Sequence, residues 1–192
     1  MSRTQYYCAA TLDGYIADAD DGIEWLTGYE GSFEGEDAEA GPLVEGGSYE
    51  GFYADVGALV SGSVTYEWVL EHYADPWPYA GKPWWVLSSR ELAVPAAEGV
   101  DVRVERGSVS NLHERMIESA GNRNLWIIGG GNVASQFADA GLLDEVLVTV
   151  VPAVLGEGKP LFDRGLPGRP LQLTAVTPHS NGMVALSYRV VR

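Results

Sequence analysis

The segment Leu125-Trp-Ile-Ile-Gly-Gly-Gly-Asn-Val-Ala134 joins a short apolar run to three glycines and then to a helix-forming sequence. Glycine lets the backbone come close to a ligand, and the unpaired N–H groups at the start of a helix attract a phosphate. The spacing also matches G-x-G-x-x-A, a dinucleotide fingerprint that requires an acid at the end of the next strand. The next apolar run ends at Val150-Val-Pro152 without an acid. The segment therefore predicts either a phosphate-binding turn of another kind or a tight structural turn.

Two further junctions lie outward from this segment. In Gly57-Ala-Leu-Val-Ser-Gly-Ser-Val-Thr-Tyr-Glu67, small and hydroxyl residues stand at the start of a helix, which suits N-capping and equally suits phosphate contact. In Trp85-Val-Leu-Ser-Ser-Arg-Glu91, Arg90 follows a strand and is either an anion contact or a surface arginine paired with a neighbouring acid. Three such junctions at the carboxyl ends of strands predict a ligand with several phosphates.

The rest of the chain alternates short apolar or aromatic runs with helix-like segments, which is typical of an α/β fold around a mainly parallel sheet. The predicted strands are residues 5–11, 58–61, 84–87, 100–104, 125–128 and 146–151. The predicted helices are residues 49–55, 64–73, 109–120 and 132–140. Two alternating runs, 171–177 and 183–191, predict an antiparallel hairpin that closes the sheet. We expect one mixed sheet with helices on both faces.

The composition is that of an acidic globular protein. The chain has 192 residues, of which 27 are Asp or Glu and 12 are Lys or Arg, so that the net charge is −15. This charge argues against binding to nucleic acid or to a membrane surface, since both need a basic surface. The length predicts one domain, residues 1–192. With no signal peptide or membrane span in the pattern, we expect a cytoplasmic protein whose single Cys8 stays reduced.

The negative charge is unevenly placed along the chain. Residues 1–100 hold 18 acids and three bases, whereas residues 101–192 hold nine of each. Much of the excess falls in residues 13–50, a Gly-rich and weakly periodic stretch that predicts long loops. It is either a solvated acidic flank or an acidic recognition surface.

The end of the first predicted strand carries a polar turn, Thr11-Leu-Asp-Gly-Tyr-Ile-Ala17. The Asp13 carboxylate could bind a ring edge or supply a proton, or Asp-Gly could be an ordinary turn pair. Trp25 follows in a loop, where it could cover a flat ring or anchor the loop. No His, Cys, Asp and Glu set has the spacing of metal ligands, so we expect no metal.

Six ordered motifs together resemble the dihydrofolate reductase-like superfamily, and within it the reductase domain at the C-terminus of the riboflavin-biosynthesis deaminase/reductase. They are 11–17, 24–26, Val60-Ser-Gly-Ser-Val-Thr-Tyr-Glu67, Leu87-Ser-Ser-Arg90, Ile127-Ile-Gly-Gly-Gly131 and Val151-Pro-Ala-Val-Leu-Gly-Glu-Gly-Lys-Pro-Leu-Phe162. The resemblance implies a three-layer fold, NADPH as hydride donor rather than NADH, and a homodimer. It also implies a cis peptide between Gly129 and Gly130.

The resemblance also assigns residues to the site. The cofactor-binding residues would be Ala9, Ala10, Ile16, Gly62, Ser63, Thr65, Ser88, Ser89, Arg90, Gly129, Gly130, Gly131, Asn132 and Val133. The substrate-binding residues would be Asp13, Trp25, Tyr66 and Glu50, with Asp13 also catalytic. Ser63 stands where the family usually has arginine, which leaves Arg90 to read the 2′-phosphate.

The activity that this resemblance implies is NADPH-dependent hydride transfer to a C=N or C=O carbon. The substrate would be a pteridine-like or ribosylaminopyrimidine-like small molecule, as in 5-amino-6-(5-phosphoribosylamino)uracil reduction. One alternative is a catalytically weak protein of the same fold that binds a nucleotide or an antifolate. Another is an unrelated α/β domain without a cofactor, for which all six motifs would have to be coincidental.

Overall fold

The elements follow one another from an N-terminal strand to a C-terminal hairpin in the computed structural model, which describes residues 2–29, 49–166, 168 and 170–191. The strands are β1 (Thr4–Thr11), β2 (Tyr15–Ala17), β3 (Val56–Gly62), β4 (Pro83–Leu87), β5 (Asp101–Glu105), β6 (Asn124–Gly129), β7 (Glu145–Val151), β8 (Lys159–Pro160), β9 (Leu171–Pro178) and β10 (Val184–Val190). The helices are α1 (Glu24–Thr27), α2 (Tyr49–Asp55), α3 (Ser63–His72), α4 (Val109–Ser119) and α5 (Gly131–Asp139).

Eight of the strands form one sheet in the order β5-β4-β3-β6-β1-β7-β10-β9. The pairs from β5 to β7 are parallel, whereas β10 pairs with both β7 and β9 in the antiparallel direction. The mixed sheet with an antiparallel C-terminal hairpin is therefore confirmed. Because β1, β3, β4 and β6 run in one direction, their carboxyl ends lie along a single edge of the sheet.

Helices cover both faces of this sheet, because alternate strand residues point to opposite sides. Tyr6 packs in a core cluster with side chains of α4 and α5, such as Met116 and Phe137. The next residue, Tyr7, packs in a second cluster with side chains of α2 and α3, such as Phe52. The three-layer prediction is confirmed.

Most predicted element bounds agree with the structure to within two residues. The short helix α1, which holds Trp25 where a loop was predicted, and the two short strands β2 and β8 were not predicted. The two strands pair with each other in a separate ribbon, at Tyr15 with Pro160 and Ala17 with Lys159. None of the helices in the described part of the chain is both long enough and apolar enough to cross a membrane.

Candidate functional site

A cavity of about 970 Å³ opens at the carboxyl ends of β1, β3 and β6 and beside the starts of α3 and α5. The strand ends contribute Ala9, Gly62 and Gly129, and the ribbon contributes Ile16 and Lys159. This is the edge at which open α/β sheets bind ligands. The three junctions of the sequence analysis all end along this edge.

The glycine run 129–131 forms a cradle on one side of the cavity. A Cβ atom on Gly131 would lie 2.3 Å from the Pro160 carbonyl oxygen, so only glycine fits between α5 and β8. A Cβ on Gly129 would lie 3.0 Å from Thr65 Oγ1, but one on Gly130 would meet nothing closer than Ile16 Cδ1 at 3.9 Å. The backbone of Gly130 is thus open to the cavity. The peptide between Gly129 and Gly130 is cis, as expected from the resemblance.

The two helices that begin at the cavity have no side-chain cap. Their N-cap residues are Gly62 for α3 and Gly130 for α5, and at neither helix start does a side chain accept a capping hydrogen bond from the backbone N–H groups. By contrast, α4 lies on the sheet without lining the cavity, and the Ser108 side chain accepts a hydrogen bond from Asn111 N. Uncapped first-turn N–H groups attract anionic oxygens. Both helix starts therefore suit phosphate groups.

A hydrogen-bonded chain fixes the polar side chains at the start of α5. Asn132 Nδ2 donates to Asp163 Oδ2 at 2.5 Å, and Gln136 Nε2 donates to Asn132 Oδ1 at 2.7 Å. Burial raises the pKa of Asp163, but hydrogen bonds, among them the one from Asn132, and the charge of Arg164 outweigh it and hold that pKa below its ordinary value. Nearby, Lys159 Nζ lies 3.6 Å from Asp21 Oδ1.

An aromatic wall, defined as Tyr7, Tyr49, Tyr79 and Trp126, lines another part of the cavity. The Trp126 ring centroid is 5.5 Å from that of Tyr7, 6.3 Å from that of Tyr49 and 5.8 Å from that of Tyr79. Trp126 Nε1 donates to the Tyr7 carbonyl oxygen at 3.0 Å, which fixes the indole. Burial raises the pKa of Tyr7 well above its ordinary value and that of Tyr49 to about 12. All of these hydroxyls are therefore protonated at neutral pH.

Two small polar groups, one on β1 and one on β7, also line the cavity. Thr149 is 3% exposed, pairs with Ala9 in the sheet, and its Oγ1 has no hydrogen-bond partner within the described residues. A buried hydroxyl without a partner is costly, so Thr149 is suited to bond a ligand. Burial raises the pKa of the Cys8 thiol to about 12, so this side chain is not a thiolate at neutral pH.

Most of the predicted cofactor residues line the cavity together. They are Ala9, Ile16, Gly62, Ser63, Thr65, Gly129, Gly130, Gly131, Asn132 and Val133. The structure does not bring Ala10, Ser88, Ser89 or Arg90 to the cavity wall, nor the four predicted substrate residues Asp13, Trp25, Glu50 and Tyr66.

Three of these differences follow from packing. Tyr66 is fully buried in the core beside Val69, and its hydroxyl donates to the Ala93 carbonyl oxygen at 2.6 Å, so it has no surface left for a substrate. Ala10 is 2% exposed and is also a core residue. Glu50 is exposed in the first turn of α2, and the next residue on its N-terminal side, Tyr49, lines the cavity instead. Beside Trp25, the apolar residues Ile23 and Leu26 line it.

Arg90 is engaged with α3 instead of the cavity. Its guanidinium donates to both carboxylate oxygens of Glu67, at 3.0 and 2.5 Å, and to Ser63 Oγ at 2.9 Å. Of the two interpretations of Arg90, the structure thus shows the arginine that is paired with a neighbouring acid. Ser63 lines the cavity and Arg90 contacts Ser63, so Arg90 lies one side chain away from the cavity.

Asp13 ties the end of β1 to the loop before β8. Its carboxylate accepts hydrogen bonds from Thr11 Oγ1 at 2.6 Å, Gly156 N at 2.7 Å and Leu155 N at 3.2 Å. The bonds from Thr11 and then Gly156 hold the pKa of Asp13 below its ordinary value. These bonds to the loop before β8, together with the lowered pKa, favour a turn that ties two loops over a proton-donor role. The turn interpretation fits: Gly14 N bonds to the Thr11 carbonyl oxygen with φ of +87°.

The residues that the sequence analysis missed are chiefly aromatic. Tyr7 and Trp126 were assigned to strands but not to the site, although both lie on the strand face opposite to Tyr6. Aromatic residues that alternate with the main-core residues along a strand point to the opposite face of the sheet, and this pattern would have identified both. Tyr79 and Thr149 carry no such signal, since only the fold brings them to β6 and β1. Among the described residues, no group of three or more His, Cys, Asp and Glu side chains is placed to hold a metal ion.

Two known proteins are similar to this chain over most of its length. The uncharacterized protein YwjB of Bacillus subtilis (strain 168) is 31% identical over 160 residues, which cover 83% of this chain and 82% of YwjB. A solved structure from Shewanella sp. PV-4, described as a candidate riboflavin biosynthesis protein, superposes with a TM-score of 0.79 at 26% identity, over 99% of each chain. Both relatives therefore span nearly the same stretch as this chain.

More distant structures share the fold. Dihydrofolate reductase from Enterococcus faecalis, solved in complex with NADP(H), superposes with a TM-score of 0.60 at 16% identity, over 99% of this chain and 97% of that one. The chain thus has the dihydrofolate reductase-like fold. The model of the RibD C-terminal domain family matches residues 80–185, more than half of the chain, including the glycine cradle. With a relative that is 31% identical over 83% of this chain, these matches show that the chain belongs to the RibD C-terminal domain family.

Proposed function

We propose that the protein is a NADPH-dependent reductase that transfers hydride to a C=N or C=O carbon of a pteridine-like or ribosylaminopyrimidine-like small molecule. One observation carries the proposal: a single cavity brings together two uncapped helix starts, the open backbone of Gly130 and an aromatic wall. The first two suit a dinucleotide with several phosphates, and the third suits a flat ring. NADPH as the donor is supported by the E. faecalis neighbour, which was solved with NADP(H).

The residues at the cradle fit such a cofactor. Gly129–Asn132 and the start of α3, from Gly62 to Thr65, would hold its phosphates through backbone N–H groups and hydroxyls. When bound, the cofactor supplies the hydride for the substrate carbon. The protein's own part is to orient the two rings and to exclude water between the cradle and the aromatic wall. The Thr149 hydroxyl would bond a polar edge of the ligand beside Ala9.

A glycine pair tests the cradle. Gly130→Ala adds a methyl group that faces the cavity and meets no atom within 3.9 Å, so the variant should fold while its cofactor site is obstructed. We expect NADPH affinity to fall by about tenfold or more, roughly 1.4 kcal/mol, with little change in melting temperature. Gly165→Ala is the matched control, since a Cβ there meets no atom within 4 Å and the residue does not line the cavity. Equal affinities for the two variants would contradict the proposed cradle.

A second candidate function is a binding protein that holds the cofactor with little turnover. The observation in its favour is that the two carboxylates lining the cavity within the described residues, Asp21 and Asp163, are both paired. NADPH oxidation in the presence of dihydropteridine and ribosylaminopyrimidine substrates separates the two candidates. Binding of NADPH without oxidation by any of them would favour the binding protein. Light scattering would test the homodimer that we propose from the resemblance.

A further inference from the structure

We propose that the substrate of this reductase carries no phosphate and no other anionic tail. The inference rests on the proposed function and names the substrate class of the same cavity: a flat, uncharged heterocycle or its free riboside. The inference excludes a phosphoribosyl compound as the substrate, although reduction of such a compound is one of the activities that the family resemblance implies. The positive charges of this chain lie where a substrate on the aromatic wall would not meet them.

Within the described residues, Lys159 is the one cation that lines the cavity. It is already paired with Asp21, at 3.6 Å. It also stands on the cofactor side, because the carbonyl oxygen of its neighbour Pro160 lies against Gly131 in the cradle. A substrate against the aromatic wall would therefore meet no cation from this part of the structure.

The other cations close to the cavity do not supply the missing charge. Arg164 is paired with Asp139 and with Asp163, beside the cradle and not at the aromatic wall. Segment 30–48, which lies outside the described residues, contains six Asp or Glu and no Lys or Arg, so it brings no positive side chain wherever it lies. Lys82 does not line the cavity: its ammonium lies over the Tyr53 ring and donates a hydrogen bond to the Val56 carbonyl oxygen, at the amino end of β3. Arg90 is taken up by Glu67 and Ser63.

Two arginines, 169 and 192, also lie outside the described residues. Their described neighbours Pro170 and Val191 bond to each other, and the adjacent Val190 bonds to Asp144. Asp144 precedes β7, at the amino ends of the parallel strands. The chain next to both arginines is therefore at the end of the sheet opposite to the cavity.

The aromatic wall offers a phosphate little in place of a cation. Its polar groups are neutral tyrosine hydroxyls, whose pKa is raised by burial, and the uncapped helix N-termini lie at the cradle, where the cofactor phosphates would bind. A phosphate or carboxylate moved from water to such a place loses hydration without gaining a counter-charge. A neutral ring loses little and gains stacking on Trp126 and Tyr49. The site therefore selects against the charged member of an otherwise matched pair.

Matched substrate pairs test this selection. NADPH binding is measured first, since its absence would refute the proposed function itself. The cofactor-loaded protein is then assayed for binding and kcat/KM with 5-amino-6-(ribosylamino)uracil with and without its 5′-phosphate, and with 6-methyl-dihydropterin against dihydrofolate. We expect the uncharged member of each pair to be preferred by at least about tenfold. Preference for the charged member, or failure to bind any of the four compounds, would overturn the inference.

An engineered cation provides the second arm. Tyr49 is 37% exposed and lies in the wall, so Tyr49→Arg places a guanidinium there without opening the core. This variant should narrow the preference in each pair by fivefold or more, about 1 kcal/mol. Tyr73→Arg makes the same change at a 50% exposed position that does not line the cavity, and should leave the preference unchanged. An equal effect of both variants would show that general charge, not the wall, decides the selection.

Discussion

The hydrogen bonds that Asp13 accepts from Leu155 N and Gly156 N connect the end of β1 to the loop that leads into β8, whose Lys159 and Pro160 line the cavity. At the residue scale this makes Asp13 a positioning residue. Its lowered pKa means that its stabilising effect is fully present above the ordinary pKa of an aspartate. The effect is lost as the pH falls through the lowered value in the folded protein.

Asp13→Asn should therefore lower the melting temperature by a few degrees at neutral pH, and the difference from the wild type should disappear only in acid, below the ordinary pKa of an aspartate. Because Asp13 holds no proton at neutral pH, we expect kcat to fall by less than about tenfold. Asp20→Asn, at an exposed position in the next loop, is the control. A loss in kcat of about 100-fold or more, the scale of a general acid, would contradict the positioning role.

Single residues were the hardest level to predict from the sequence. Gly129, Gly130 and Gly131 were identified because a glycine run between a strand and a helix suits a phosphate-binding turn or a tight structural turn, and the structure places all three at the cavity. Arg90 had two interpretations, since its pairing depends on Glu67, which the α3 helix turns toward it. Tyr66 was placed at the substrate by motif alone, whereas the helical spacing of Tyr66 and Val69 turns it into the core. Such outcomes depend on tertiary packing rather than on local pattern.

At the element scale, the sequence predicted almost all of the sheet. Short runs that are nearly all apolar are typical of strands covered on both faces, so β1, β3, β4, β6 and β7 were each identified. The ribbon of β2 and β8 has three and two residues, too few for a period, and it forms only because the loop tied by Asp13 returns beside Tyr15. That ribbon supplies Ile16, Lys159 and Pro160 to the cavity, so one side of the site could be predicted only by family resemblance.

Helix capping gives a prediction at this same scale. Gly62 has φ of −79° and ψ of 170°, which an aspartate also adopts, and a Cβ there lies 3.6 Å from Val133 Cγ2. Gly62→Asp should cap α3 and so leave the melting temperature unchanged or raise it slightly. The same carboxylate would compete with the cofactor phosphate, so NADPH affinity should fall by about tenfold or more.

Removal of a cap from α4 is the converse control. Ser108→Ala should destabilise the protein by about 1 kcal/mol and leave NADPH affinity unchanged, since α4 does not line the cavity. If Gly62→Asp bound NADPH as the wild type does, the start of α3 would not be a phosphate site. If the start of α3 binds a phosphate, Gly62→Asp lowers the NADPH affinity without lowering stability, whereas Ser108→Ala lowers stability without changing the NADPH affinity.

The whole molecule carries a net charge of −15, yet its proposed cofactor is an anion with several phosphates. The structure reconciles these two facts through the uncapped starts of α3 and α5, because backbone N–H groups bind phosphate without a basic surface. The excess acids lie in residues 1–100, and Arg90 and Lys159 are both paired with acids near the cavity. The negative net charge of the protein thus disfavours the binding of every additional anionic group, including one on the substrate.

A titration of the protein with NADPH and NADH, followed by tryptophan emission and by melting temperature, decides whether the cavity binds a nicotinamide dinucleotide. Trp68 and Trp126 line the cavity, so a bound nicotinamide ring should quench their emission. We predict saturable quenching, and at a hundredfold excess over Kd a stabilisation of about 2.7 kcal/mol, roughly 5–10 °C for a chain of this length. If neither cofactor changes the emission or the melting temperature at millimolar concentration, the cavity is not a nicotinamide dinucleotide site and the account is wrong.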